Sequence, residues 1–115
     1  PANGELALGA ALHGWSSVIS RQGTRAVLDG GLKSFATDRG FPRVLAPGWV
    51  VKAMSDEHTV IEQHSDQGRL IHLGDKLRLQ PSHCDPTVNL HDWLVALRGD
   101  RVEAVWSVAA RGAVL

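Results

Sequence analysis

KLRLQPSHCDPTVNLHD, residues 76–92, is the stretch from which the fold of this chain is read. Its first five residues alternate, with Leu77 and Leu79 on one face of an extended backbone and Lys76, Arg78 and Gln80 on the other. That is the pattern of a half-buried strand. It runs directly into PSHCDPTVNLHD (residues 81–92), where two histidines, two aspartates, two prolines and the only cysteine of the chain meet within twelve residues.

The segments on either side repeat the strand signal. Downstream, residues 93–97 and 102–108 flank Arg98-Gly99-Asp100-Arg101, a hairpin turn, with Val102, Ala104, Trp106 and Val108 on one face. The Arg-Gly-Asp triplet at that tip is read as coincidence. Upstream, Gly74-Asp75 is a turn, residues 69–73 form a short strand and 64–68 a loop. Residues 49–54 and 59–63 flank the polar connection Ser55-Asp56-Glu57-His58, a second hairpin. A third joins strands at 10–20 and 24–29 through Arg21-Gln22-Gly23 and stops at Asp29-Gly30-Gly31. Residues 32–47, with Gly40, Pro42 and Pro47, read as a loop with one helical turn, and residues 1–5 as a frayed end. Short strands, polar turns and no long amphipathic helix predict an all-β domain over residues 1–115, a small barrel or sandwich of antiparallel strands.

Size and composition exclude several classes. At 115 residues the chain is far below the roughly 250 of a (β/α)₈ barrel. Twelve Lys and Arg balance twelve Asp and Glu, leaving no field to gather nucleic acid or an anionic membrane surface. A lone cysteine forms no internal disulfide, so a reducing cytoplasm is expected. No apolar run reaches the ~20 residues of a membrane span, and PANGELALGAALHG (residues 1–14) lacks the basic start of a signal peptide. It reads as the start of a piece cut from something longer.

The chemistry concentrates in residues 81–92. His83 and Asp85 are two apart, so on an extended backbone both side chains leave the same face and can converge on one divalent ion. An imidazole and a carboxylate suit zinc or a harder ion such as manganese. Two ligands leave positions open for water or substrate, as in catalytic sites; the bland reading is a polar loop whose His and Asp hold each other or backbone amides. Cys84 points the other way on such a backbone and is expected as buried filler. His91 and Asp92 have two readings, a second shell that orients a ligand or, with Asn89, a cap on the turn into the next strand. Glu57-His58 reads as a solvated hairpin tip and Lys33 as a solvated lysine rather than a cofactor Schiff base. No tyrosine is available as an acid or base, and the four tryptophans are expected in core or interface packing.

With these residues in view, the chain resembles the C-terminal domain of the D-threonine aldolase and D-serine dehydratase family, pyridoxal-phosphate (PLP) enzymes of the alanine-racemase-like, fold-type III group. The resemblance rests on VLDGGLKSFATDRGFP (27–42), SDEHTVIEQ (55–63), LGDKLRLQPSHCDPTVNLHD (73–92) and VEAVWSVAARG (102–112), in the family's order over nearly the whole chain. It implies a two-domain enzyme, a PLP-bearing (β/α)₈ barrel followed by this β-domain, with a divalent metal bound by a histidine and the residue two further on. Those positions here are His83 and Asp85. In the dehydratase branch the second ligand is typically cysteine with zinc; in the aldolase branch it is aspartate with manganese or a similar cation, so Asp85 favours the aldolase.

The implied reaction is retro-aldol cleavage of a D-3-hydroxy amino acid to glycine and an aldehyde, PLP taking up the electrons as the Cα–Cβ bond breaks while the metal holds and polarises the β-hydroxyl. Homodimers are implied as well. The barrel, its Schiff-base lysine and its phosphate-binding residues are absent from these 115 residues, so the piece alone is expected to be inactive and to bind metal weakly. The close alternative is a zinc- and PLP-dependent D-serine dehydratase. A rival of another class is a free-standing β-domain for binding or dimerisation.

Overall fold

Leu77 and Leu79 are almost wholly buried while Lys76 and Arg78 are exposed, so the alternation read from the sequence survives in three dimensions. The structure is a computed structural model that describes residues 11–112. Its elements are β1 (Gly14–Gln22), β2 (Arg25–Leu28), β3 (Arg43–Val44), β4 (Trp49–Met54), β5 (Thr59–Gln63), β6 (Lys76–Gln80), α1 (Cys84–Val88), β7 (Trp93–Arg98) and β8 (Arg101–Ser107).

Six strands form one sheet in the order β3-β6-β1-β2-β5-β4, every neighbour antiparallel. The edge strands β3 and β4 also meet, which curls the sheet into a nearly closed barrel and hides two edges that would otherwise be open to pairing. β1 makes this possible. Gly14–Ser17 pair with β6, Val18–Gln22 pair with β2, and a bulge between Val18 and Ser20 bends the strand from one partner to the other. The buried core includes Val18, Leu28, Val44, Ile61, Leu77 and Leu79, together with Phe35 and Trp49. The indole N–H of Trp49 donates to the Arg69 carbonyl oxygen at 2.7 Å, and the Arg21 guanidinium lies 4.9 Å from the Trp49 ring centre.

The three expected hairpins are present, and β4, β5 and β6 have the expected bounds. Three details differ. Residues 69–73 make no strand: Ile71 is buried, but the segment is pinned singly, by the Arg69 N–H on the Pro47 carbonyl oxygen and the His72 N–H on the Asp75 carboxylate. The loop at 32–47 has its one helical turn, where the Ser34 and Phe35 amides donate to the Gly31 carbonyl oxygen, and it also contributes β3, paired with β6. Lastly, α1 stands inside the stretch read as extended. The expected frayed end at residues 1–5 and the first residue of the strand expected at 10–20 lie outside the described residues.

β7 and β8 form a separate two-stranded sheet. None of their side chains belongs to the barrel core, and Trp93, Val95, Val102, Val105 and Trp106 are each more than half exposed. The four tryptophans therefore divide: Trp49 is core, whereas Trp15, Trp93 and Trp106 lie open. Among the described residues no helix is long and apolar enough to cross a membrane.

Candidate metal centre

The polar cluster begins where β6 ends. Pro81 stops the ladder, His83 stays extended (φ −141°, ψ 117°) as the residue before α1, and Cys84 to Val88 turn into helix. Pro86 does not prevent this, because amides in the first helical turn have no intrahelical acceptor, so a missing N–H there costs nothing. The common extended face proposed for His83 and Asp85 is therefore replaced by an extended residue followed by a helical one. Cys84 is correspondingly exposed rather than buried, and its thiol donates to the Asp85 carboxylate at 3.1 Å. That bond and the carboxylate's charge push the Cys84 thiol above its ordinary pKa, so it stays protonated at neutral pH.

His83 turns away from its chain neighbours. Its Nδ1 lies 2.6 Å from Oδ2 of Asp38, a residue 45 positions earlier that the sequence reading did not single out. The contact holds the Asp38 carboxyl below its usual pKa of 3.8, chiefly through the hydrogen bond and secondarily through desolvation-opposed charge attraction to the ring. Asp38 is ionised at neutral pH. The His83 side chain keeps 23% of its surface exposed and makes no other side-chain hydrogen bond among the described residues.

What brings residues so far apart together is a set of bonds between residues 34–40 and residues 82–91. The Thr87 hydroxyl, buried, donates to the His83 carbonyl oxygen at 2.8 Å and accepts the Ala36 N–H at 3.1 Å, joining the start of α1 to the loop. Ser82 donates its hydroxyl to the Gly40 carbonyl oxygen at 2.7 Å, and His91 donates through Nε2 to the Ser34 carbonyl oxygen at 2.8 Å. The loop itself is anchored at Gly31, where an added Cβ would strike the Ser55 carbonyl oxygen and the Glu57 and His58 nitrogens, all backbone.

The other expected site residues have separate partners. His91 holds the loop through Ser34, while Asp92 pairs with Arg111 at 2.9 Å and accepts the Val108 N–H on its carbonyl oxygen, as a cap of the turn into the hairpin would. Neither bonds to His83 or Asp85. Asn89 accepts the Gly112 N–H at 2.6 Å in the same turn. Lys33 and Glu57 form an exposed ion pair at 3.2 Å, of the kind worth about 0–1 kcal/mol. A groove of about 1090 Å³ opens between barrel and hairpin, with Trp15, Phe35, Arg78, His91 and Trp93 among its walls, but His83 and Asp85 are not part of it.

Among the described residues no group of three or more His, Cys, Asp or Glu converges as a closed metal site would require. The donor chemistry still fits an open one. Among the described residues one ring nitrogen of His83 has no hydrogen-bond partner and the exposed Asp85 carboxylate is bonded only to the Cys84 thiol, and an N and O pair suits a borderline or hard divalent cation.

A profile of the family described as "Putative serine dehydratase domain" matches residues 11–97. The chain belongs to this family. A 3-hydroxy-D-aspartate aldolase of Paracoccus denitrificans is 49% identical over 89 residues, covering 76% of this chain and 22% of that protein. The D-threonine aldolase of an Arthrobacter species is 41% identical over 112 residues, covering 96% of this chain and 29% of the relative. In three dimensions, the crystal structure of D-threonine aldolase from Filomicrobium marinum superimposes with a TM-score of 0.80 at 39% identity, over 88% of this chain and 28% of that one. The family members similar to this chain thus include aldolases, and the chain spans between a fifth and a third of their length.

Proposed function

We propose that this chain is the metal-bearing C-terminal domain of a PLP-dependent lyase that cleaves D-3-hydroxy amino acids to glycine and an aldehyde, with His83 and Asp85 as the metal's protein ligands. The observation that carries the reading is the environment of His83. One ring nitrogen is held by a carboxylate and the other has no partner among the described residues, beside an exposed aspartate, in a chain similar to two kinds of aldolase. Asp85 supports an aldolase with manganese over a zinc-dependent dehydratase, because a carboxylate lacks the thiolate's preference for zinc.

When bound, the divalent ion would polarise the β-hydroxyl of the substrate, and PLP, held mainly by the N-terminal barrel domain, would stabilise the electrons left as the Cα–Cβ bond breaks. This chain's part is to hold the ion still. The linked loop and helix fix His83 and Asp85 relative to the barrel strands, so the hydroxyl is met in one orientation. The isolated piece, lacking the cofactor-binding lysine, is inactive by itself. The exposed apolar hairpin is the surface by which it would pack against the barrel domain or a second subunit of a homodimer.

Assay of the full-length parent protein with D-threonine, D-3-hydroxyaspartate and D-serine tests the reading. Aldehyde and glycine should appear from the first two in the presence of manganese, and Asp85→Ala should reduce the rate at least ~100-fold, as expected when a group that stabilises developing charge is lost. Pyruvate from D-serine without aldehyde from D-threonine would establish the dehydratase instead.

A further inference from the structure

Asp38 contributes neither to the core nor to the barrel ladders; it is exposed, and its carboxylate serves one partner, the Nδ1 of His83. A carboxylate only accepts hydrogen bonds, so at 2.6 Å the proton between them belongs to Nδ1. In the neutral ring this leaves the lone pair on Nε2, the nitrogen without a partner among the described residues. Free histidine offers either nitrogen and rotates about two side-chain bonds; His83 offers one nitrogen in one direction.

The supporting bonds have the same sense. Thr87 ties the His83 carbonyl oxygen to the Ala36 amide, two residues from Asp38, and Ser82 ties down Gly40, two residues beyond it. Loop and helix start are thereby joined on both sides of the Asp38–His83 contact. A surface ion pair needs no such framing.

We propose that Asp38 is the positioning residue of the metal centre: it fixes the Nδ1–H tautomer and the ring orientation of His83, so that Nε2 is presented to the divalent ion. The inference rests on the reading of His83 as a metal ligand. Carboxylates in this relation to a metal-binding histidine raise the basicity of the ligating nitrogen and spare the ion the cost of ordering the ring, and their loss lowers affinity by roughly 10–100-fold.

Two measurements on the full-length protein test it. In the metal-free protein at mildly alkaline pH, long-range ¹H–¹⁵N correlation spectra should show His83 as the Nδ1–H tautomer, and Asp38→Ala should shift it toward Nε2–H with the melting temperature little changed. Titration with manganese should then show Asp38→Ala weakened roughly 10–100-fold. Asp38→Asn, whose amide oxygen can still accept the Nδ1–H, should recover part of that loss and most of the tautomer. Equal manganese affinity in wild type and Asp38→Ala, or an Nε2–H tautomer in the wild type, overturns the role of Asp38 while leaving His83 a ligand. Absence of manganese binding by the wild type overturns the metal-centre reading itself and this inference with it.

Discussion

At the scale of single residues, Asp29, directly after β2, is a polar group outside the candidate centre whose bonds carry a testable consequence. Its carboxylate accepts the Ser17 backbone N–H and the Ser16 hydroxyl, each at 2.8 Å, and these bonds, the backbone one first, hold its pKa below the usual 3.8. A depressed folded value means that the stabilisation is fully present above the unfolded value and is lost as the pH falls through the folded one. Asp29→Asn should therefore lower stability at neutral pH by less than about 1 kcal/mol, because solvent screens the exposed carboxylate, and the deficit should shrink as the pH drops below about 3.8. Urea midpoints measured at both pH values check this; a deficit independent of pH would contradict it. Residues also mark where sequence reasoning stops. The His83 and Asp85 pair was visible because the two are close in sequence. Asp38 was not, since a contact across 45 positions leaves no spacing to read. The Asp-Arg-Gly run that contains it looked like any polar loop.

Among the elements, α1 and the hairpin depart from expectation for different reasons. Residues 83–85 were read as extended, yet Cys84–Val88 form a helix, and Pro86 falls in its first turn, where the missing N–H has no consequence. Likewise β3 was hidden because two residues cannot display alternation, and residues 69–73, read as a short strand, bury only Ile71 while Leu70 and Leu73 lie open. The longer strands of the barrel were legible for the opposite reason, β4 and β6 most plainly, since they bury alternate residues. β7 and β8 have the sequence of a hairpin but bury little on either face, and a two-stranded sheet alone is marginal in water. Hydrogen exchange of the isolated chain should show the amides of Trp93–Arg98 and Arg101–Ser107 exchanging well before those of Lys76–Gln80. Equal protection of both would mean that the hairpin is held by packing the barrel does not display.

On the scale of the whole molecule, the all-β architecture and the family followed from ordered segments spread along the chain, whereas closure of the barrel did not. Closure depends on the bulge in β1 and on the meeting of β3 with β4, both products of tertiary packing. The same packing fixes the loop that carries Asp38 against the helix that follows His83, so the candidate centre is a property of the folded barrel rather than of residues 81–92 alone. With His83 and Asp85 as the two proposed ligands, the isolated chain is expected to bind manganese weakly and a protein that also carries the proposed barrel domain more tightly, water and groups from that domain completing the shell. The most direct test is calorimetric titration of manganese into the metal-free full-length protein, its His83→Ala and Asp85→Ala variants, and the isolated chain. The account predicts saturable binding in the full-length wild type, its loss in both variants, and much weaker binding by the isolated chain. Undiminished binding in both variants would contradict it.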